Sequence, residues 1–149
     1  MKRAQGRTFL LVAGILYMLL GTIGAVGAVG GLSTAGFWDR IRIMSTAGGV
    51  SWSIYYTIML IGAFFDISIG IIGILNRIHL EKAAFLRALG LISAVYVVLS
   101  AFLGAIVFAG VLGGIIALFT LLIGFVPPIL YITGAQKNLM IYNKRRQMS

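Results

Sequence analysis

"GTIGAVGAVGG", residues 21–31, sets a glycine at every third position and doubles the last one. Such a stretch reads as a phosphate-cradling loop, a flexible linker, or a helix face against which another helix presses. A P-loop needs a Lys-Ser/Thr pair after its glycines, and a dinucleotide fingerprint must follow a strand. Neither condition is met, and the segment lies inside a long apolar run. Among lipid tails, helices gain nothing by hiding leucine from their surroundings. They associate by close packing, and small residues let their backbones approach. The stretch therefore reads as a helix-contact surface. Gly21, Ala25 and Ala28 line one ridge, Gly27 and Gly31 form a GxxxG pair, and Gly24 lies among them; Gly110 and Gly114 repeat the spacing later in the chain.

Composition agrees with this setting. Of 149 residues, 60% are hydrophobic and only 10% charged, where a soluble domain carries roughly 25% charged residues. Four apolar segments, 9–31, 52–75, 86–109 and 115–134, account for the excess. About 20 helical residues cross a ~30 Å hydrocarbon core, so each is long enough to span. The last two form one continuous apolar run that must turn back on itself, and "GVLGG" (110–114) is the expected turn. The expectation is an all-α membrane protein, a four-transmembrane-helix bundle forming one domain over 1–149. The chain has no cysteine, which removes disulfides, thiol nucleophiles and cysteine metal sites.

The net charge of +9 has a sharply uneven placement. Lys2, Arg3 and Arg7 precede the first segment, Arg77 and Lys82 lie between the second and third, and Arg87 stands at the entry of the third on the same side. Lys137, Lys144, Arg145 and Arg146 follow the fourth, leaving only Arg40 and Arg42 on the other side. The positive-inside rule makes the crowded side cytoplasmic, with both termini inside. A basic inner face suits anionic lipid headgroups; no aromatic-interleaved basic groove points to nucleic acid. The opening "MKRAQGRTFLLVAGILYMLLG" also has the composition of a signal peptide, and we read its helix as retained.

Residues 32–51 form the expected external loop. Ser33 or Thr34 is placed to cap a short interfacial helix bearing Phe37, Trp38, Ile41 and Met44 on one side, although the alternation in "RIRI" also fits a strand. Trp38, Trp52, Tyr55 and Tyr56 mark the outer headgroup level. The cytoplasmic loop 76–85 holds His79 and Glu81, which two-residue spacing puts on different faces of any helix. The basic tail, 135–149, is expected to run along the inner leaflet. A repeat is also discernible. "FLLVAGIL" and "FLRALGLI" align Phe9 with Phe85 and Gly14 with Gly90, and "GILN" and "GAQKN" close the second and fourth segments. Two helical hairpins of the same orientation would constitute a tandem repeat about an axis along the membrane normal.

Asp66, in "GAFFDISIG", is the one acidic residue within a predicted span. It precedes Asn76 by ten residues, about 15 Å along a helix and so near the midplane. A carboxylate at that depth costs about 2.5–3.5 kcal/mol on insertion scales. Counting from helix ends puts Thr22, Tyr96, Ser100, Pro127 and Pro128 at similar depth. The two prolines carry no N–H, so the carbonyls of Ile123 and Gly124 lose their helical partners. A protonated Asp66 opposite them would donate to one, which makes the cluster structural. The alternative reading makes it an ion or proton site. Enzyme chemistry finds no motif: there is one histidine, no HExxH and no GxSxG.

The helix ends "GIIGILNR" and "PPILYITGAQKN", with "RTFLLVAGIL" and "GTIGAVG" at the start, resemble those of small uncharacterised four-helix membrane proteins of Gram-positive bacteria. The resemblance implies a multi-pass protein of the bacterial cytoplasmic membrane and assigns no site residue. The function expected is a non-enzymatic membrane subunit or scaffold that associates through glycine-rich helix faces. Its partners would be a second copy or a larger complex, and the anionic lipids met by Lys137, Lys144, Arg145 and Arg146. The alternatives are a proton- or cation-responsive transporter or channel component using Asp66, and an anionic-lipid-binding protein. No cofactor, metal or nucleic acid is expected.

Overall fold

A computed structural model describes residues 5–41, 51–108 and 110–147, with side chains described from 5–35 in the first stretch and from 111 in the last. It contains five α-helices, α1 (Arg7–Ile41), α2 (Trp52–Asn76), α3 (Ala83–Phe108), α4 (Gly110–Gly124) and α5 (Val126–Arg146), with a short 3₁₀ turn at Leu80–Lys82. No strand occurs among the described residues. Among the described residues four spans are long and apolar enough to cross a membrane, α4 and α5 together forming the fourth.

Three boundaries differ from those expected. First, α1 runs on past residue 31 through Ile41. Ser33 and Thr34 do not cap a new helix; their hydroxyls donate to the carbonyls of Gly30 and Gly31, as hydroxyls in a helix interior do. The side chains of Phe37, Trp38 and Ile41, and all of residues 42–50, lie outside the description. Second, α3 closes at Phe108 and α4 opens at Gly110, so "GVLGG" is the start of a helix and not the turn expected there. Within α4, Gly113 rides against α3: a Cβ there would stand 2.6 Å from the Ala105 carbonyl oxygen. Third, the chain after residue 134 stays helical to Arg146, so Asn138 is a residue within a helix and closes nothing.

Local chemistry explains the remaining ends. The Ser51 side chain caps α2 by accepting from the Ile54 N–H at 3.2 Å, satisfying one of the orphan donors of a helix start. Between α4 and α5 the path breaks at Phe125, with prolines in the first turn of α5. The N–H of Phe125 still reaches Leu121 and that of Ile129 reaches Phe125, each at 3.1 Å. Pro127 and Pro128 have no N–H to continue the ladder between them. Elsewhere, hydroxyls meant for hydrocarbon are satisfied within their own helix, as at Thr57, Ser68 and Thr133.

The helices meet through small residues and tyrosines. α1 packs most extensively on α2, antiparallel, whereas α2 touches α3 sparsely. Gly14 and Gly70 abut: a Cβ on Gly70 would lie 2.6 Å from the Gly14 carbonyl oxygen, and one on Gly14 would lie 2.8 Å from that of Gly70. A Cβ on Gly21 would meet the Ala63 carbonyl oxygen at 2.7 Å. Other glycines are sockets for aromatic rings: Tyr56 sits against Gly31, Tyr131 against Gly73, and Tyr96 against Gly62.

The core gathers Leu10, Ala13, Tyr17, Ile69, Leu86, Tyr131 and Ala135. Tyr17 and Tyr131 meet edge to face at 5.7 Å. The Tyr17 hydroxyl donates to Ser93 Oγ at 2.6 Å and the Tyr131 hydroxyl to the Ile69 carbonyl at 3.4 Å. Asn138, fully buried, binds three parts of the chain: its Oδ1 accepts from the Gly6 N–H at 2.9 Å, and its Nδ2 donates to the Arg77 carbonyl at 3.1 Å. The start of α1, the end of α2 and the middle of α5 are thereby held at one end of the bundle. At the other end Trp52, Tyr55 and Phe108 cluster, with ring centroids 5.5 Å apart for Trp52 and Phe108.

Candidate functional site

A cavity of about 420 Å³ lies where four helices fail to close on one another. α1 contributes Leu20, Ile23 and Gly24, and α2 contributes Met59, Ala63 and Asp66. The opposite wall is Tyr96, Val97 and Ser100 of α3, with Phe119, Thr120, Ile123 and Gly124 of α4. The backbone break at Phe125 ends α4 just below this wall. Ile123 and Gly124, whose carbonyls face prolines four residues on, are therefore cavity residues.

Of the residues singled out by depth, Asp66, Tyr96 and Ser100 come together here, and Thr22, Pro127 and Pro128 do not line the cavity. Thr22 is exposed and its hydroxyl donates to the Met18 carbonyl at 2.7 Å. Counting residues from a helix end gives depth but not azimuth, and the next two residues, Ile23 and Gly24, carry the inward face. Pro127 and Pro128 are buried in the packing of α5. Asp66 forms no hydrogen bond to any described residue, the Ile123 and Gly124 carbonyls included; Tyr17 and Tyr96 lie within its electrostatic reach. Thr120 was not anticipated. Its position one turn before Gly124 on the proline-broken helix was the available signal.

The cavity's polar groups share one character. Ser100 donates its hydroxyl hydrogen to the Val97 carbonyl at 3.0 Å, and Thr120 donates its own to the Ile116 carbonyl at 2.9 Å. What these side chains offer a guest is oxygen lone pairs. Asp66 adds a carboxyl group, and no lysine, arginine or histidine lines the space.

The glycines of the opening stretch divide. Gly21 and Gly31 stand against α2, and Gly24 is in ordinary contact, 3.5 Å from Ala63 Cβ to a Cβ built there. Ala28 is buried and Ala25 half-buried. Gly27 and Gly114 have open space where a side chain would go, so neither sits in a helix seam of this chain. The surroundings of Gly110 lie outside the description. Sequence reasoning passed over Gly62, Gly70 and Gly73, which lie beneath or against neighbours as closely as any. Among the basic residues, Lys137 Nζ sits 4.0 Å above the Phe9 ring, Lys144 is exposed, and Arg145 and Arg146 line a surface cleft with Glu81 and Tyr142. Comparison with protein-family models, curated proteins and solved structures returned no match.

Proposed function

We propose that the chain is a small, non-enzymatic transport component of a bacterial cytoplasmic membrane, in which Asp66 takes up a proton or a monovalent cation from the cavity between the four spans. The observation that carries this reading is an intramembrane acid that lines open space, has no hydrogen bond to a described residue and shares its cavity with the acceptor oxygens of Ser100 and Thr120. A charge buried without a fixed partner is expensive, so the site is suited to a mobile counter-charge. Both termini are read as cytoplasmic. The shared end at which Asn138 gathers Gly6 and Arg77 is the end where the basic residues concentrate, which supports that orientation.

The tandem repeat belongs to the same proposal. The spacing that aligns Phe9 with Phe85 and Gly14 with Gly90 also separates Tyr17 from its partner Ser93, 76 residues apart. The spacing between Asn76 and Asn138 likewise separates Ile69 from Tyr131, 62 residues apart. Residues matched by a two-fold axis meet each other beside it, so these contacts support two related hairpins. Asp66 then corresponds to Pro128, and the acid belongs to one half alone.

Purified protein in liposomes tests the function: an imposed gradient of protons or of a monovalent cation, sodium or an organic ammonium, should drive flux that Asp66→Asn abolishes. Absence of flux, or equal flux through the variant, refutes it. One observation favours a second reading, a scaffold joined through helix faces. Gly27 and Gly30 face open space on α1, beside the exposed Val26 and Val29, and such a face fits a second copy. On that reading Gly27→Leu shifts the sedimenting species in detergent toward monomer and Asp66→Asn leaves association intact.

A further inference from the structure

We infer that the ion taken by this cavity is a lipophilic ammonium, the protonated form of a hydrophobic amine, and that it enters sideways from the bilayer between α1 and α4. This deepens the function proposed above and rests on it. The rim carries the argument for the route. Ile23 of α1 is 67% exposed, and Phe119 and Ile123 of α4 are 58% and 53% exposed, yet all three also line the cavity. In a protein that spans a membrane, residues that face both outward and into a cavity mark an opening toward acyl chains. A strongly hydrated ion would have to shed its water to pass such a mouth, whereas an amphiphile already dissolved in the bilayer would not.

The chemistry of the interior carries the argument for the ligand. The hydrogens of Ser100 and Thr120 are engaged by their own helix, so the walls accept hydrogen bonds far better than they donate them. An N–H-bearing cation satisfies acceptors and matches the charge of Asp66. Phe119 and Tyr96 add aromatic walls, which attract cations, and the apolar remainder takes the hydrocarbon part. A volume of about 420 Å³ lies within the range of small-molecule sites, roughly 300–1,000 Å³. On the far side, Tyr96 also lines a separate apolar groove between α2 and α3. Its hydroxyl rests in the socket of Gly62, so one side chain partitions the two spaces.

The test is equilibrium binding of phenethylammonium to the full chain in lipid nanodiscs, with 2-phenylethanol as the uncharged counterpart and sodium flux measured in parallel. Saturable binding is expected, weakened at least tenfold by Asp66→Asn and several-fold by Thr120→Val, which keeps the shape and removes an acceptor. Ile23→Trp, placed in lipid at the mouth, should slow association; Val26→Trp, equally exposed but away from it, should not. Circular dichroism identifies any variant that has lost its fold, and Thr120→Val is the conservative check on Asp66→Asn. If phenethylammonium does not bind while Asp66-dependent sodium or proton flux persists, the amine assignment is overturned and the proposed function stands. Loss of both overturns both. Equal binding of 2-phenylethanol overturns recognition by charge, and unchanged association in Ile23→Trp overturns the lateral route.

Discussion

Replacing Gly70 by alanine adds one methyl group at the tightest backbone crossing between α1 and α2. The new Cβ would stand 2.6 Å from the Gly14 carbonyl oxygen, roughly 0.8 Å inside the 3.4 Å where ordinary contact begins. The obstacle is backbone, so no rotamer change relieves it and the two helices must part. Overpacking of this kind costs about 1–3 kcal/mol, against which alanine recovers up to about 1 kcal/mol of helix propensity. The expected net loss is about 1–2 kcal/mol. Gly27→Ala meets nothing and should be neutral or stabilising by a few tenths of a kcal/mol. In Gly14→Ala/Gly70→Ala the helices separate only once, so the pair should lose less than the two single variants together. Reversible unfolding in mixed detergent micelles, followed by helical circular dichroism, measures all four. Wild-type stability in Gly70→Ala, or an equal loss in Gly27→Ala, would falsify the assignment of this seam.

Asn138→Ala should cost about 2–4 kcal/mol in the same assay, because it strands a buried N–H and a carbonyl at once. Tyr17→Phe removes the bond to Ser93 and should cost about 1–2 kcal/mol; adding Ser93→Ala should return part of it, since a lone buried hydroxyl is worse than none. Asp66→Asn should hold or raise the unfolding midpoint while abolishing ion flux, and a large loss of stability would indicate a structural acid. Lys137→Met removes the cation above Phe9 and should lower stability by no more than about 0.5–1 kcal/mol.

Four spans were legible from hydropathy and length alone, because a bilayer imposes both on any chain that crosses it. The two donors deleted by "PP" were legible regardless of context, but the expected segment 115–134 ran through them as one helix, where the structure has α4 end at Gly124 and α5 begin at Val126. Asp66, Tyr96 and Ser100 share a cavity because residues at equal depth on neighbouring helices have a fair chance of meeting. Direction around the helix was harder. α1 is apolar on every side, so no stripe tells Gly21, which abuts Ala63, from Gly27, which meets nothing. Thr22 was misplaced for the same reason. The end of α1 was misjudged because Ser33 and Thr34 resemble caps until their hydroxyls turn back on the preceding turn. Asn138 was taken for punctuation, since a polar residue near a predicted end looks like a boundary; its bonds reach residues 132 and 61 positions away.

Those long reaches bear on how the molecule is made. Gly6 leaves the ribosome 132 residues ahead of Asn138. The hairpin of α1 and α2 is able to form as soon as α2 enters the bilayer, since its glycine seam needs nothing further. The Gly6 amide and Arg77 carbonyl, however, wait for α5. Assembly is therefore ordered, with a clasp that closes only when α5 arrives, and a nascent chain truncated before residue 138 keeps two polar groups open to whatever quality-control machinery surveys the membrane.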